Sequence, residues 1–431
     1  MMTSIFRRAL LTAALLAVPA LLAVPAVARA ATVLHIMWYS DGNEGQVMRD
    51  LLDRFEKANP DIKVVLDQVP YKTVTENLPA LVASGQAPDM ARVTDLGGQA
   101  SHYLDLTPYL KDPAAWRANF ASVLPWMRPP GDTAGIYGLM TQLTVTLPFV
   151  NATLFEQAGI PLPGPKATWQ DWATAAQAVA KKVGAPIPIA IDRSGHRIAG
   201  LAISMGAKIF DGDKPALMDD GMKTALTMIY DWHRDGIMSK QIWGSVGGAT
   251  YRGANQEFAN GQVVLYMSGT WQIPQFAKTI GDAFDWHAVP DPCGPAACTG
   301  LPGGAALVAF KTTKHPHALG RVMDYLSSPA VYAEYHARTL FLPASAALMK
   351  QGVKYTSNLK QVKESLDAAL SELPLLSPIA YKLQGYAQNR VLFNAMIVRI
   401  NQAISGEMSL DDAFKRITSD VAEGLKAEAA K

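Results

Sequence analysis

The chain has 431 residues, of which 49% are hydrophobic and 18% are charged, and its formal net charge is +2. The apolar fraction supports a large buried core, whereas the near-neutral balance offers no cationic surplus, so we expect no nucleic-acid partner. Roughly 400 residues beyond an amino-terminal leader are more than one ordinary core accommodates, and two lobes are therefore expected.

The first 30 residues have the order of a secretory signal. Arg7-Arg8 precedes an apolar stretch over residues 9 to 27, and Ala28-Arg29-Ala30 follows it. This sequence of charged, apolar and small residues predicts a signal peptide that is removed after Ala30. Pro19 and Pro25 interrupt the apolar stretch and favour cleavage over a retained membrane anchor. The arginine pair leaves both the general secretory route and the twin-arginine route open.

After the leader, apolar runs alternate with helical patterns. We predict strands over Val33–Trp38, Ile62–Val69 and Met90–Val93, a helix between the first two, and a second helix over Tyr71–Ser84 that continues through Pro79. Such a β-α-β-α-β opening implies right-handed crossovers and a crevice at the carboxyl ends of the strands. Ligand-facing residues are expected at 39–44 and 92–98.

Two cysteines, Cys293 and Cys298, flank a short stretch rich in turn-forming residues. In an exported protein, cysteines this close together predict a disulfide that pins a loop. A metal site with His287 is the competing interpretation, but two thiolates and one imidazole lack a fourth zinc ligand. We therefore predict a disulfide and no metal.

Several further blocks follow one another in a fixed order along nearly the whole chain. They are Trp38-Tyr39-Ser40-Asp41, Ala83-Ser84-Gly85-Gln86-Ala87-Pro88-Asp89, Asn151-Ala152-Thr153-Leu154-Phe155, Phe258 to Trp271, Gly303-Gly304 and Thr313-Lys314-His315-Pro316. In this order the chain resembles the family 1 extracellular solute-binding proteins, the sugar receptors of ABC importers. It departs from that pattern at Val150, where the family usually has tyrosine, and at Leu340, where it usually has glycine.

The resemblance implies an α/β fold of the type II periplasmic-binding-protein kind, with two lobes that each contain a sheet flanked by helices. An amino-terminal lobe is expected over 31–143 and 303–340, and a carboxyl-terminal lobe over 147–300 and 343–431. Hinge crossings are expected near 143–147, 300–303 and 341–343.

The resemblance also implies a function without catalysis or cofactor. A soluble monomer in the periplasm is expected to close around a carbohydrate, which is an oligosaccharide, a glycoside or a polyol. It would then deliver this ligand to the permease subunits of an ABC transporter.

Sugars present apolar faces and a rim of hydroxyl groups, so a receptor needs aromatic rings and planar polar side chains. Trp271, at a predicted turn from strand to helix, is expected to stack on the ligand. Trp38 and Tyr39 point to opposite faces of the first strand, and Tyr39 is the one expected to meet the ligand. Charged side chains supply strong directional hydrogen bonds. The charged candidates in the first lobe are Asp41, Glu44, Arg92, Asp95 and Arg338.

In the second lobe, residues 191–197 follow a predicted strand and carry two arginines, a histidine and an aspartate. Asp192 and His196 are candidates for contact with an anionic or strongly polar substituent. The alternative is an internal ion pair between Asp192 and Arg193 or Arg197. The remaining ligand-binding candidates are Gln142, Tyr251, Gly303 and Gly304.

A secreted glycoside hydrolase is the alternative function, because paired carboxylates also mark that class. The aspartates and glutamates are scattered, however, and none of the sequences G-x-S-x-G, H-E-x-x-H or a phosphate-binding loop occurs. The sequence therefore favours a binding protein over an enzyme.

Overall fold

The computed structural model of the protein describes residues 31–429, so the predicted signal peptide lies outside the described residues. The strands are β1 (Thr32–Trp38), β2 (Ile62–Gln68), β3 (Met90–Val93), β4 (Gly138–Val145), β5 (Pro148–Asn151), β6 (Ile187–Ile191), β7 (Phe210–Asp211), β8 (Lys214–Pro215), β9 (Val263–Met267), β10 (Trp286–Ala288) and β11 (Pro302–Ala309). The α-helices in the amino-terminal half are α1 (Glu44–Ala58), α2 (Tyr71–Glu76), α3 (Leu78–Ala83), α4 (Pro113–Asn119), α5 (Ala152–Ala158), α6 (Trp169–Val183) and α7 (Gly195–Ser204). Those that follow are α8 (Asp220–Arg234), α9 (Lys240–Gly244), α10 (Asn255–Ala259), α11 (Gln272–Thr279), α12 (Pro316–Ser327), α13 (Pro329–Thr339), α14 (Ala346–Gln351), α15 (Lys360–Glu372), α16 (Pro378–Gly385), α17 (Asn389–Ser405) and α18 (Leu410–Ala429).

The first sheet has the strand order β2-β1-β3-β11-β4. Its first three strands are parallel, as the β-α-β-α-β pattern predicts, whereas β11 is antiparallel to both of its neighbours. The prediction of one helix over Tyr71–Ser84 is wrong, because the segment divides into α2 and α3 at Asn77. Pro79 explains the break, since proline has no N–H to donate to the preceding turn and is tolerated only near the start of a helix.

The second sheet has the strand order β10-β5-β9-β6. Strands β6 and β9 are parallel, and β5 is antiparallel to both β9 and β10. Each sheet carries its own hydrophobic core. The first is centred on residues such as Leu34, Met90 and Leu307, and the second on residues such as Phe149 and Leu265. The protein is therefore a mixed α/β fold with two lobes, each a sheet flanked by helices.

Three chain segments meet where the crossings between the lobes are predicted. The Leu143 N–H donates to the Leu342 carbonyl at 2.9 Å, and the Thr146 N–H donates to the Leu301 carbonyl at 3.1 Å. Ala344 and Leu348 belong to the first core, although the expected boundary at residue 343 assigns them to the second lobe. The division of the chain into lobes at these particular residues stays a prediction.

The predicted disulfide between Cys293 and Cys298 is present. Its loop supports the start of α6, since the Cys293 N–H donates to the Ala167 carbonyl at 2.9 Å. Thr168 caps this helix in a capping box with Asp171. Within residues 31–429, none of the helices has the length and apolar character needed to cross a bilayer.

Candidate ligand-binding cleft

The first lobe contributes a buried charged cluster centred on Arg92, at the end of β3. Arg92 is inaccessible to solvent, and one terminal nitrogen donates to the Tyr39 carbonyl and to Glu44 Oε1, both at 2.8 Å. The other terminal nitrogen donates to Gln142 Oε1 at 2.6 Å. Because parallel strands end at one edge of a sheet, Arg92 on β3 meets the segment that follows β1. Glu44 is equally buried and accepts the Gly42 N–H at 2.8 Å, which fixes the loop from Tyr39 to α1.

Aromatic rings cover this cluster. The Arg92 guanidinium lies 4.1 Å from the centre of the Tyr39 ring and 5.2 Å from that of Trp38. The Tyr39 ring in turn contacts Tyr71, with 4.9 Å between ring centres. A guanidinium at this distance from an aromatic face is attracted to its quadrupole. Arg92 therefore holds the Tyr39 ring in place from the buried side of the first lobe.

Asp41 lies at the edge of the cluster, 3.6 Å from Arg92, with about a quarter of its side chain exposed. Burial and the neighbouring Glu44 carboxylate raise the pKa of Asp41 to about 7, against the opposing effect of Arg92. Within this group, Asp41 is thus the carboxyl best placed to reach a ligand, as donor when protonated and as acceptor when ionised.

The second lobe contributes a matching cluster centred on Asp192, just after β6. Asp192 is fully buried, and its carboxylate accepts hydrogen bonds from Tyr266, from Ser268 at 2.8 Å, from Tyr251 at 3.0 Å and from Arg197 at 3.2 Å. The internal ion pair considered from the sequence therefore forms, and Arg197 is its partner. Arg193 instead donates to the carbonyls of Thr250 and Gly248, which holds the loop that presents Tyr251.

Arg197 connects this cluster to Trp271 and His196. Its guanidinium lies 4.2 Å from the centre of the Trp271 ring, and one terminal nitrogen donates to His196 Nδ1 at 2.8 Å. His196 Nε2 is then the protonated nitrogen and donates to the Pro302 carbonyl at 3.0 Å. Burial and the charge of Arg197 lower the pKa of His196 well below its ordinary value, so the imidazole is neutral at physiological pH.

The two clusters face each other across the junction of the lobes. Tyr71 from the first lobe meets Tyr251 from the second in an edge-to-face contact, with 6.1 Å between ring centres. Arg390, at the start of α17, donates to Thr94 Oγ1 at 3.1 Å. Burial raises the pKa of Asp95 against the opposing charge of Arg390. Aromatic rings, hydroxyl groups and both signs of charge thus converge where the two lobes meet, at the candidate cleft.

Two glycines allow close packing beside the cleft. A Cβ atom at Gly304 would lie 2.2 Å from the carbonyl oxygen of Gln142, so a side chain there would separate β11 from β4. A Cβ atom at Gly303 would lie 3.3 Å from His196 Nε2. These glycines permit the approach that positions Gln142 and His196, and direct contact of either glycine with a ligand stays a prediction.

Most of the sequence-predicted site residues gather in this cleft, but at different depths. Tyr39, Glu44, Arg92, Gln142 and Asp192 are buried behind its surface, whereas Asp41, Tyr251 and Trp271 reach it. Arg338 is not brought to the cluster, because its guanidinium pairs with Asp50 and Glu334 on the outer side of α1 and α13. A ligand role for each of these residues stays a prediction.

Sequence reasoning missed Tyr71, Tyr266 and Arg390. A single phenol within the apolar strand β9 was the available signal for Tyr266, since a buried hydroxyl group needs a partner. Tyr71 follows a strand directly through Val69-Pro70 and so lies at the predicted crevice. Arg390 offered no local signal, because α17 reaches the cleft only through the packing of the carboxyl-terminal helices.

Comparison with known proteins agrees with this architecture. An ABC substrate-binding protein from Listeria monocytogenes, in complex with cycloalternan, is 17% identical with a TM-score of 0.76, over 92% of this chain and 99% of that one. The GacH receptor of Streptomyces glaucescens, solved unliganded and with acarbose, is 20% identical with a TM-score of 0.74, over 92% and 99%. A solute-binding protein from Thermotoga lettingae with α-D-tagatose is 17% identical with a TM-score of 0.75, over 92% and 100%.

At these identities the likeness shows the fold, which is that of the two-lobed periplasmic binding proteins. The sequence matches none of the curated proteins compared with it. The bacterial extracellular solute-binding protein family matches residues 39–333, more than half of the chain. The chain belongs to this family.

Proposed function

We propose that the protein captures a carbohydrate between its two lobes and delivers it to the permease of an ABC importer. The observation that carries this proposal is the meeting of two buried polar clusters at one cleft, each bordered by aromatic rings. The bound sugars of the Listeria, Streptomyces and Thermotoga proteins support the ligand class.

The chemistry of the cleft suits a sugar. Trp271 and Tyr251 offer ring faces for C–H groups, and Asp41 and Arg390 offer charged hydrogen-bonding groups for hydroxyls. The buried groups behind them are bonded mainly to one another, so little of their geometry needs to change when a ligand binds. Contacts with both lobes would favour the closed state over the open one.

Capture without chemistry fits the state of the two carboxylates at the centres of the clusters. Glu44 and Asp192 are both buried and engaged by several donors, which leaves neither as a free general acid or nucleophile. Membership in an extracellular solute-binding family supports export and residence in the periplasm, with the leader removed after Ala30. We further propose that the receptor acts as a monomer.

A thermal-shift screen of the mature chain tests the ligand class. The panel contains oligosaccharides, monosaccharides, polyols and glycosides with carboxylate or phosphate groups. A ligand that binds only the folded protein raises Tm in proportion to the logarithm of its concentration, about 2.7 kcal/mol of stabilisation at 100 times Kd. We expect a shift with a neutral oligosaccharide or glycoside, and a smaller radius of gyration in X-ray scattering with that ligand.

Two variants locate the binding event. Tyr251→Ala is expected to reduce the ligand-induced shift, because the ring borders the cleft. Tyr325→Ala is the matched control, since this ring packs against Phe55 in the first lobe and should leave the shift unchanged. Release of product from a chromogenic glycoside would support the hydrolase, and the absence of any shift across the panel would contradict carbohydrate capture.

A further inference from the structure

Asp285, His287 and Glu364 come together in the second lobe, where β10 meets α15. Asp285 immediately precedes β10 and His287 lies two residues later, so both side chains leave the same face of the strand. Trp286 and Ala288 point to the other face and are buried in the second core. The Ala288 N–H donates to Ser365 Oγ at 2.9 Å, which holds α15, and with it Glu364, against the strand.

The donor atoms of these three side chains are close and partly unpaired. Each residue offers one nitrogen or oxygen atom within 4.8 Å of the others, and His287 Nδ1 lies 3.9 Å from Glu364 Oε2. Asp285 Oδ1 and His287 Nδ1 are shielded from solvent and have no hydrogen-bond partner among the described residues. A buried polar atom without a partner destabilises the folded state, so two such atoms in one place indicate a site for a ligand.

We propose that Asp285, His287 and Glu364 bind a divalent transition metal of the zinc class. One imidazole nitrogen and two carboxylate oxygens form a ligand set that Zn²⁺ accepts, whereas Ca²⁺ and Mg²⁺ prefer oxygen ligands alone. Ligand bonds of about 2.0–2.1 Å in a tetrahedron place donor atoms about 3.3 Å apart. The present separations, which reach at most 4.8 Å, exceed this value by at most about 1.5 Å, and side-chain rotation would close that difference on binding.

The site leaves room for a fourth ligand, and one nearby lysine competes with the metal for Glu364. The Glu364 side chain is 39% exposed, so water can complete the coordination. Lys360, one turn earlier on α15, holds its ammonium 3.5 Å from Glu364 Oε1 and is itself 71% exposed. A metal on Glu364 Oε2 would be repelled by this charge, and removal of the charge should strengthen metal binding.

The site is separate from the ligand cleft. In the second sheet Trp286 pairs with Asn151, whereas Pro148, at the other end of β5, pairs with Met267, which leads to Ser268 and Trp271. The three residue steps from Pro148 to Asn151 span about 10 Å of strand. Metal at this position would join a three-residue edge strand to α15 and stabilise the second lobe, independently of the carbohydrate proposed above.

Cobalt and zinc titrations of the mature chain, without a histidine tag, test the site. We expect one Co²⁺ per chain, with the intense visible absorption of a four-coordinate ion, and displacement of this ion by Zn²⁺. His287→Ala and Glu364→Gln should weaken binding at least tenfold, and Lys360→Met should strengthen it severalfold. Far-UV circular dichroism without metal checks that each variant folds, and Glu364→Gln changes only a partly exposed helix position.

His35→Ala is the matched control. His35 Nδ1 lies 3.3 Å from Asp67 Oδ2 on the first sheet, and the His35 backbone N–H donates to Asp89 Oδ2 at 2.9 Å. Among the described residues, the His35 imidazole nevertheless belongs to no group of three potential ligand atoms within 4.8 Å of one another. This variant should bind Co²⁺ as the wild type does. The proposal is overturned if the wild type shows no saturable Co²⁺ or Zn²⁺ binding, or if folded His287→Ala and Glu364→Gln bind these ions with unchanged affinity.

Discussion

Replacement of Arg92 by methionine tests how far the buried cluster of the first lobe supports the fold. Arg92 and Glu44 are both inaccessible to solvent, and 2.8 Å separates the Arg92 nitrogen from Glu44 Oε1. Methionine keeps the apolar length of the side chain but removes the donors to Glu44, to Gln142 and to the Tyr39 carbonyl. Leaving a buried charge without its partner costs about 3–5 kcal/mol. Since about 1 kcal/mol moves Tm by roughly 2–4 °C for a domain of lobe size, we expect a fall of about 10 °C.

Urea and thermal unfolding followed by circular dichroism measure this loss. Arg54→Met is the matched control, because Arg54 pairs with Glu334 at 2.7 Å on the surface and is half exposed. An exposed ion pair contributes about 0–1 kcal/mol, so this variant should unfold close to the wild type.

Glu44→Gln, alone and combined with Arg92→Met, completes a double-mutant cycle. Because Glu44 loses its counter-charge only when arginine is removed, the two substitutions should couple by at least about 1 kcal/mol. The reasoning is refuted if Arg92→Met costs no more than Arg54→Met, or if the two substitutions are additive.

Three further variants address the cleft, the pH dependence and the disulfide. Trp271→Ala should weaken binding of the ligand found in the screen about tenfold, because a stacked ring contributes about 0.5–1.5 kcal/mol beyond its buried area. Calorimetry measures this affinity, and an unchanged value would show that Trp271 does not contact the ligand. Burial raises the pKa of Glu372 to about 7, and burial together with the Glu372 charge raises the pKa of Asp291, so the folded chain retains a proton that the unfolded chain releases near pH 4.5. The stabilisation from this pair is therefore complete below about pH 4.5 and should be lost, by about 1–3 kcal/mol, as the pH rises to about 7. In urea unfolding at pH 5 to 8, the wild type should lose this amount relative to Glu372→Gln. Joint replacement of Cys293 and Cys298 by serine should lower the free energy of unfolding by about 2 kcal/mol, because the disulfide closes only a short loop in the unfolded chain. A loss of twice that size would show that the disulfide also stabilises the folded state.

Local structure was largely predictable from the sequence. Strand Met90–Val93 and the cap of α6 at Thr168 depend on hydrophobic period and on hydrogen bonds between near neighbours. The disulfide was predictable because the two cysteines are close together in the chain of a protein that is expected to be exported. The prediction of one helix over Tyr71–Ser84 was wrong for a local reason that the sequence already contained, which is the missing N–H of Pro79.

The candidate site was predictable in outline and not in its internal roles. The ends of β1, β3 and β6 indicated Tyr39, Arg92 and Asp192, because within each sheet the carboxyl ends of parallel strands lie at one edge. No pattern indicated that Arg92 would be buried among its partners, while Arg338, a similar candidate, would pair with acids outside the cleft.

Residues that are neighbours in the chain determine the order of strands and helices. They also carry the family likeness and the predicted export leader. They do not determine the partners of the charged side chains. Arg92 meets Gln142 from 50 positions away, and Asp192 meets Tyr266 from 74. His287, considered with the cysteines on grounds of sequence distance, lies instead beside Glu364. Such contacts depend on how sheets and helices pack, and packing joins residues by shape and burial, which spacing along the chain does not encode.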